Sequence, residues 1–262
     1  MFDATWVDTT AGFDANACGA VLAAPFIGSF LGVVIRRLPE TRPIAWTRSC
    51  CEACGATLSV RDLIPLLSWL AGRGRCRFCG QWLGWFYPGV ELAALVIAVI
   101  AALLDQGPYV WLDCVLGWWL LALSWIDARH WLLPDLLTLP LVIAGLLTAL
   151  IFDPSELTDR ALGAAVGYLA SRVVAFLYRQ VRGRDGLGQG DAKLLAAAGA
   201  WVGASALPQV ILIAALAGLL GAACLRLSGV RLGPFSALPF GPFLALATWF
   251  VWLMPVLQAP VF

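Results

Sequence analysis

Charge is what this chain has least of. Only 13% of its 262 residues are Asp, Glu, Lys or Arg, against 61% hydrophobic residues and a mean hydropathy of +0.86. That is too little polar side chain to cover a water-facing globule, so the chain reads as a polytopic membrane protein. The 17 Lys and Arg nearly cancel the 16 Asp and Glu, which excludes both a global basic field for nucleic acid and an acidic tail. A single histidine, His130 in a turn beside Arg129, leaves no His-based triad and reads as an ordinary interfacial residue. The glycine-rich stretch around residue 188 follows no strand and lacks a Gly-Lys-Ser/Thr ending, so P-loop and dinucleotide readings fail. The first apolar run carries Asp3, Asp8 and Asp14 where a cleavable signal would be basic, and the segment is expected to be retained.

A helix needs about 20 mostly apolar residues to cross the hydrocarbon core. Runs bounded by charge, Gly and Pro predict eight spans, near 17-35, 89-104, 109-126, 132-152, 161-181, 192-206, 207-225 and 236-257. With both termini outside, all of the 17 basic residues except Arg160, in an outer loop, and Arg172, inside a span, fall on the cytoplasmic side, as the positive-inside rule requires. The expected fold is an all-α membrane bundle. Residues 1-35 form the outer N-terminus and first span, 36-88 a cytoplasmic four-cysteine domain, and 89-262 a seven-helix membrane domain. Arg172 is expected to pair with a polar group inside the bundle.

Segment 36-88 is about 50 residues long, a size that commonly needs a metal staple. Cys51-x2-Cys54 and Cys76-x2-Cys79, separated by 21 residues and each followed by Gly (Gly55, Gly80), have the spacing of two knuckles converging on one Zn²⁺. Four thiolates leave no open position, so such a metal is structural. Disulfides or free thiols are the alternative. Cys50 lacks a partner at this spacing, and Cys18, Cys114 and Cys224 read as small core residues.

Acids at membrane depth are costly, and each is a functional candidate. Asp127 ends the third span, Asp135 follows Pro134 at the start of the fourth, and Asp191 closes Gly188-Gln189-Gly190-Asp191 before the sixth. Asp135 also suits a helix N-terminus, and Asp191 can cap the helix after it. Gly183, Gly186, Gly188 and Gly190 give the loop before Asp191 a backbone that can approach a substrate. Two carboxylates at the cytoplasmic ends of different helices point to an aspartyl dyad.

These motifs together resemble the bacterial type IV prepilin peptidases. The resemblance rests on Gly28-Ser-Phe-Leu-Gly-Val-Val-Ile-Arg-Arg-Leu-Pro39, the four cysteines, Ile64-Pro-Leu-Leu-Ser-Trp69 and Tyr87-Pro-Gly-Val-Glu91. It extends through Ile126-Asp-Ala-Arg-His-Trp-Leu-Leu-Pro-Asp135, Gly188-Gln-Gly-Asp-Ala-Lys-Leu-Leu195 and Leu238-Pro-Phe-Gly-Pro-Phe243. It implies an aspartyl endopeptidase of the bacterial inner membrane that cuts leaders from type IV prepilins or pseudopilins after Gly at the cytoplasmic face, with Asp127 and Asp191 catalytic. It also implies N-methylation of the new terminus with S-adenosylmethionine, for which Gly74 and Arg75, before the third cysteine, are the local candidates. Gly32 and Leu63 stand where the family often has Asn. A peptidase without methyl transfer, a transporter and a zinc-stabilised scaffold are the alternatives; cleavage of a prepilin-like peptide separates an enzyme from the last two.

Overall fold

The computed structural model describes residues 14–44, 48–51, 53–183, 188–229 and 238–258. Asp3, Asp8, Arg184, Gly186, Arg231 and the expected start of the last span at 236-237 lie outside the described residues. The described residues form these α-helices: α1 Ala15–Arg37, α2 Leu67–Ala71, α3 Phe86–Leu104, α4 Tyr109–His130, α5 Asp135–Phe152, α6 Leu157–Arg182, α7 Gln189–Val202, α8 Leu207–Leu227 and α9 Gly241–Gln258. Among the described residues the only extended pairings are two isolated bridges, Cys50 with Thr57 and Arg75 with Trp82.

Each expected span overlaps a helix, but among the described residues 6 helices, not eight, are long and apolar enough to cross a membrane by themselves. The exceptions are α7 and α9. At 14 residues, α7 is about 21 Å long, short of a hydrocarbon core of about 30 Å. It can be short because protein surrounds it: every residue from Leu194 to Trp201 is buried.

Helix ends are set locally. Asp14 caps α1 by accepting from Ala17 N–H at 2.7 Å. Its other oxygen accepts from Gly107 N–H at 2.8 Å, joining the N-terminal ends of α1 and α4. Three clusters of apolar side chains share α4, one of them joining Ala122 and Ile126 to Ile35, Phe86 and Val90. Of the other two, one packs α1 and α3 against α4, and the larger joins α4 to α5, α7, α8 and α9.

Small residues let α6 and α7 cross at backbone contact. A Cβ on Gly199 would lie 2.2 Å from the Gly163 backbone, and one on Gly167 would lie 2.6 Å from the Leu195 carbonyl oxygen. Gly163 and Gly167 have the four-residue spacing by which small residues bring membrane helices together. Tryptophans tie other pairs: the indole N–H of Trp118 donates to Ala94 O at 3.0 Å, that of Trp119 to Leu137 O at 3.1 Å, and that of Trp201 to Leu141 O at 2.9 Å.

Three expectations are corrected here. Arg172 is exposed on the outer face of α6, so it pairs with nothing inside the bundle. Arg160, expected in a loop, is the buried arginine: it lies in the first turn of α6, bonds Glu156 at 2.7 Å and stands 5.4 Å from the Trp252 ring centroid. Cys114 is buried as expected, but Cys18 and Cys224 are exposed, because they lie on helix faces turned away from neighbouring helices.

Gly199→Leu is expected to pry α6 from α7 and destabilise the protein by about 1–3 kcal/mol. Gly218→Ala, whose new methyl meets nothing closer than 3.7 Å, is expected to leave stability unchanged. Thermal unfolding in detergent measures both.

Candidate functional site

Asp127 lies in the last turn of α4 and is 6% exposed. Its Oδ2 accepts from the backbone N–H of Gly241, the first residue of α9, at 3.0 Å. A Cβ at Gly241 would come within 2.6 Å of that oxygen, so only glycine allows this bond. The sequence showed Leu238-Pro-Phe-Gly-Pro-Phe243 as a motif without a role. The structure supplies one: it presents an N–H at a helix N-terminus to the Asp127 carboxylate.

Asp191 lies in the first turn of α7, and its carboxylate accepts from the backbone N–H of Gly188, the residue that precedes the helix. This is the reach of a third helical residue back to its cap, so the capping role is real. The same carboxylate is near enough to Asp127 to feel its charge. Leu133, buried in the turn after α4, packs against Gly190 and helps hold the two helix ends together. The structure thus places Asp127 and Asp191 within electrostatic reach of each other at one end of the bundle.

Asp135 is not part of this pair. It opens α5 after Pro134 and forms an ion pair with Lys193, two residues past Asp191. It therefore orients the first turn of α7 from outside. Its side chain is exposed and held by this charged partner.

The four cysteines form the second centre. The Sγ atoms of Cys51, Cys54, Cys76 and Cys79 all lie within 4.8 Å of one another, with Cys51 and Cys79 at 3.9 Å. A tetrahedral zinc with bonds near 2.3 Å requires sulfur separations of about 3.8 Å, so the donors fit the ion. Both knuckles have one hydrogen-bond pattern. Cys51 N–H donates to Ala56 O at 2.9 Å and Gly55 N–H to Cys51 O at 2.8 Å, while Cys76 N–H donates to Gln81 O at 2.8 Å and Gly80 N–H to Cys76 O at 2.9 Å. Backbone N–H groups of Cys54 and Ala53 draw the Cys51 thiol down to about 6, while burial and the other three cysteines push the Cys79 thiol up to about 11. Cys50 stays outside the cluster, exposed and paired through its backbone with Thr57.

Gly74 and Arg75 sit at the start of the second knuckle. Gly74 has φ +69°, and a Cβ there would come within 2.3 Å of Trp82 and 3.0 Å of Trp69. Those rings fill the space beside it. Arg75 is exposed and reaches the Gly80 carbonyl at 3.5 Å.

Two family descriptions match the chain: residues 22–104 fit the bacterial peptidase A24 N-terminal domain, and residues 114–223 fit the type IV leader peptidase family. The prepilin leader peptidase/N-methyltransferase of Dickeya chrysanthemi is 41% identical over 251 residues, covering 87% of this chain and 88% of that protein. The chain belongs to the type IV leader peptidase family. Proteins of the same name from Aeromonas salmonicida, 39% identical over 85% of each chain, and Pseudomonas aeruginosa, 38% identical over 87% of each, are further relatives of this family member. No solved structure matches it. As a leader peptidase family member with six apolar helices, it is a multi-pass membrane protein.

Purified without chelator, the protein is expected to carry one zinc per chain by elemental analysis. Cys51→Ser is expected to open segment 36-88 to protease while leaving the spans inserted. Metal-free protein, or disulfides among the four cysteines, would reject the zinc assignment.

Proposed function

We propose that this chain is an integral membrane aspartyl endopeptidase that removes leaders from type IV prepilins and pseudopilins after Gly, and then methylates the new N-terminus. The observation that carries the reading is the meeting of Asp127 and Asp191 from α4 and α7, in a chain whose relatives are prepilin leader peptidase/N-methyltransferases. The dyad belongs on the cytoplasmic side of the bacterial inner membrane, at the end where Arg36, Arg37, Arg129, Arg179 and Arg182 gather, with both chain termini outside.

Two close carboxylates do not readily ionise together, so the pair holds one proton at neutral pH. The ionised member takes a proton from a water, the water oxygen bonds to the scissile carbonyl carbon, and the carbon–nitrogen bond breaks as the protonated member gives its proton to the leaving amine. No covalent enzyme intermediate is needed. Gly241 N–H fixes one Asp127 oxygen and Gly188 N–H holds the Asp191 carboxylate, so both groups are aimed before substrate arrives. The apolar helix of the substrate enters from the lipid, and its leader stays on the cytoplasmic side.

The four-cysteine cluster takes zinc as a structural ion. S-adenosylmethionine is the methyl donor implied by the relatives' name. The residues around Gly74 do not form a cradle for it, since Trp82 and Trp69 occupy that space, so no step is drawn through the cofactor there. Arg75, exposed beside the knuckle, remains the candidate contact.

Asp127→Asn and Asp191→Asn are each expected to reduce cleavage of a prepilin peptide in detergent by at least about a thousand-fold, with unfolding temperature retained. Asp135→Asn is expected to cost less than about ten-fold, because an amide can still stand at a helix start. Full activity of either dyad variant would sink the mechanism.

Mass spectrometry of a prepilin incubated with the enzyme and S-adenosylmethionine is expected to show leader loss plus one added methyl group. Arg75→Ala is expected to spare cleavage and lower methylation. Only unmethylated product from the intact protein would make it a peptidase alone.

A further inference from the structure

Between the 3-10 turn at Val60 and the end of α2 the chain exposes an apolar row outside the spans: Val60 is 83% exposed, Leu67 65%, Leu70 62%, Leu63 42% and Ile64 39%. Two hydrogen bonds and an arginine layer fix how deep this row lies.

The Arg36 guanidinium stands 4.7 Å from the Phe86 ring centroid and 5.1 Å from that of Tyr87, and the Arg129 guanidinium stands 4.7 Å from Phe86. Arginines over aromatic rings at the ends of three apolar helices mark the membrane–water boundary. Glu91 lies five residues further along α3 than Phe86, about 7 Å deeper. Ser29, which hydrogen-bonds Glu91, lies seven residues from Arg36 on α1, about 10 Å deeper. Glu91 Oε2 accepts from Leu66 N–H at 2.8 Å. The backbone of Leu66 is therefore hung below the arginine layer, beside a carboxylate buried between α1 and α3.

Leu66 has φ +59°, where non-glycine residues are rare, and there the chain turns back on itself. It enters through Ile64 and Pro65 and leaves along α2. Behind the turn, the Trp69 indole N–H donates to Gly84 O at 3.0 Å, and its ring lies 4.3 Å from Trp85 and 5.6 Å from Trp82. Trp82 and Trp85 are 45% and 67% exposed, as suits residues of an interfacial belt. Arg61, next to Val60, and Arg73, past Leu70, are exposed near the two ends of the row.

We propose that Ser59–Ala71 is a re-entrant segment seated in the lipid on the basic side of the membrane, with Val60, Leu63, Ile64, Leu67 and Leu70 against acyl chains and Arg61 and Arg73 against anionic headgroups. Interfacial segments bury their apolar side about 5–10 Å into this boundary, which is the depth at which Glu91 holds Leu66. The occupant is lipid because the Glu91 bond to Leu66 sets the row beside α3 below the arginine layer, where Leu92, the residue after Glu91, opens the exposed apolar face of α3 at 54%. The four-cysteine centre then rides on the bilayer, fixed by the Trp69, Trp82 and Trp85 cluster, and does not hang free in water.

The test uses the full-length protein in nanodiscs of phosphatidylethanolamine and phosphatidylglycerol, with a photoreactive benzoylphenylalanine at Leu67 or Leu70 and adducts read by mass spectrometry. Leu219, 68% exposed on α8, is the lipid-facing control, and exposed Glu40 is the water control. Phospholipid adducts at Leu67 and Leu70 within about two-fold of Leu219 and at least about ten-fold above Glu40 are expected, unchanged by added prepilin peptide. Yields at the Glu40 level overturn the proposal. So does an adduct with a second copy of the chain, or a lipid adduct that a prepilin peptide replaces. Because a photoreactive variant can misfold, Leu67→Glu with Leu70→Glu gives a second measure. It is expected to raise trypsin cleavage at Arg61 and Arg73 in vesicles by about ten-fold, with zinc content retained; an unchanged cleavage rate would also overturn the assignment.

Discussion

A polar atom inside the hydrocarbon core has no water to turn to, and much of this structure follows from that constraint. Asp113, 2% exposed in α4, receives the Trp252 indole N–H on Oδ1 at 2.8 Å, while its backbone carbonyl takes the Trp249 indole N–H at 2.9 Å. The Trp252 ring in turn faces the Arg160 guanidinium and packs edge-on to Trp201 at 5.2 Å. Three helices are thereby pinned around α9 at the end of the bundle away from Asp127. Indoles suit the task, since each has a large apolar body and a single donor.

The same constraint shapes the candidate catalytic pair. A carboxylate at this depth persists only where backbone N–H groups or a partner charge receive it. Gly241 and Gly188 supply those N–H groups at the starts of α9 and α7, and both helix N-termini add favourable partial charge. Glycine is required at Gly241 because the donor must touch its acceptor. The pair thus owes its position to two helix starts, and its cost in the membrane is offset by groups that the fold had to place near those ends anyway.

Close packing of small residues gives α7 its place. A helix made of Ala, Gly and Leu can lie within backbone contact of α6 and be walled by α5 and α9. Enclosed by protein, it need not match the bilayer thickness. That is why a 14-residue helix can carry Asp191 to the centre of the bundle's basic end. The four-cysteine segment solves a different problem, having too little core of its own. Its order comes from the thiol cluster, the three stacked tryptophans and the Glu91 bond to Leu66.

Run length in the sequence was enough to locate the helices, because a membrane span must be long and apolar. Cysteine spacing was enough to bring four thiols together, because two short knuckles have few ways to close. Asp127 and Asp191 were legible as costly acids at helix ends, and Asp135 as a helix start. Local pattern could not assign the buried arginine: Arg160 and Arg172 differ by which face of α6 meets a neighbour, and in a membrane helix the apolar face can turn to lipid as readily as to protein, so the pattern does not show which arginine is enclosed. Nor could it find Gly241 as the donor to Asp127, or Leu66 as a turn hung from Glu91, since those partners lie 114 and 25 residues away in the chain. Such contacts are decided only when helices pack, because a hydrogen bond between distant segments depends on the depth and rotation of both.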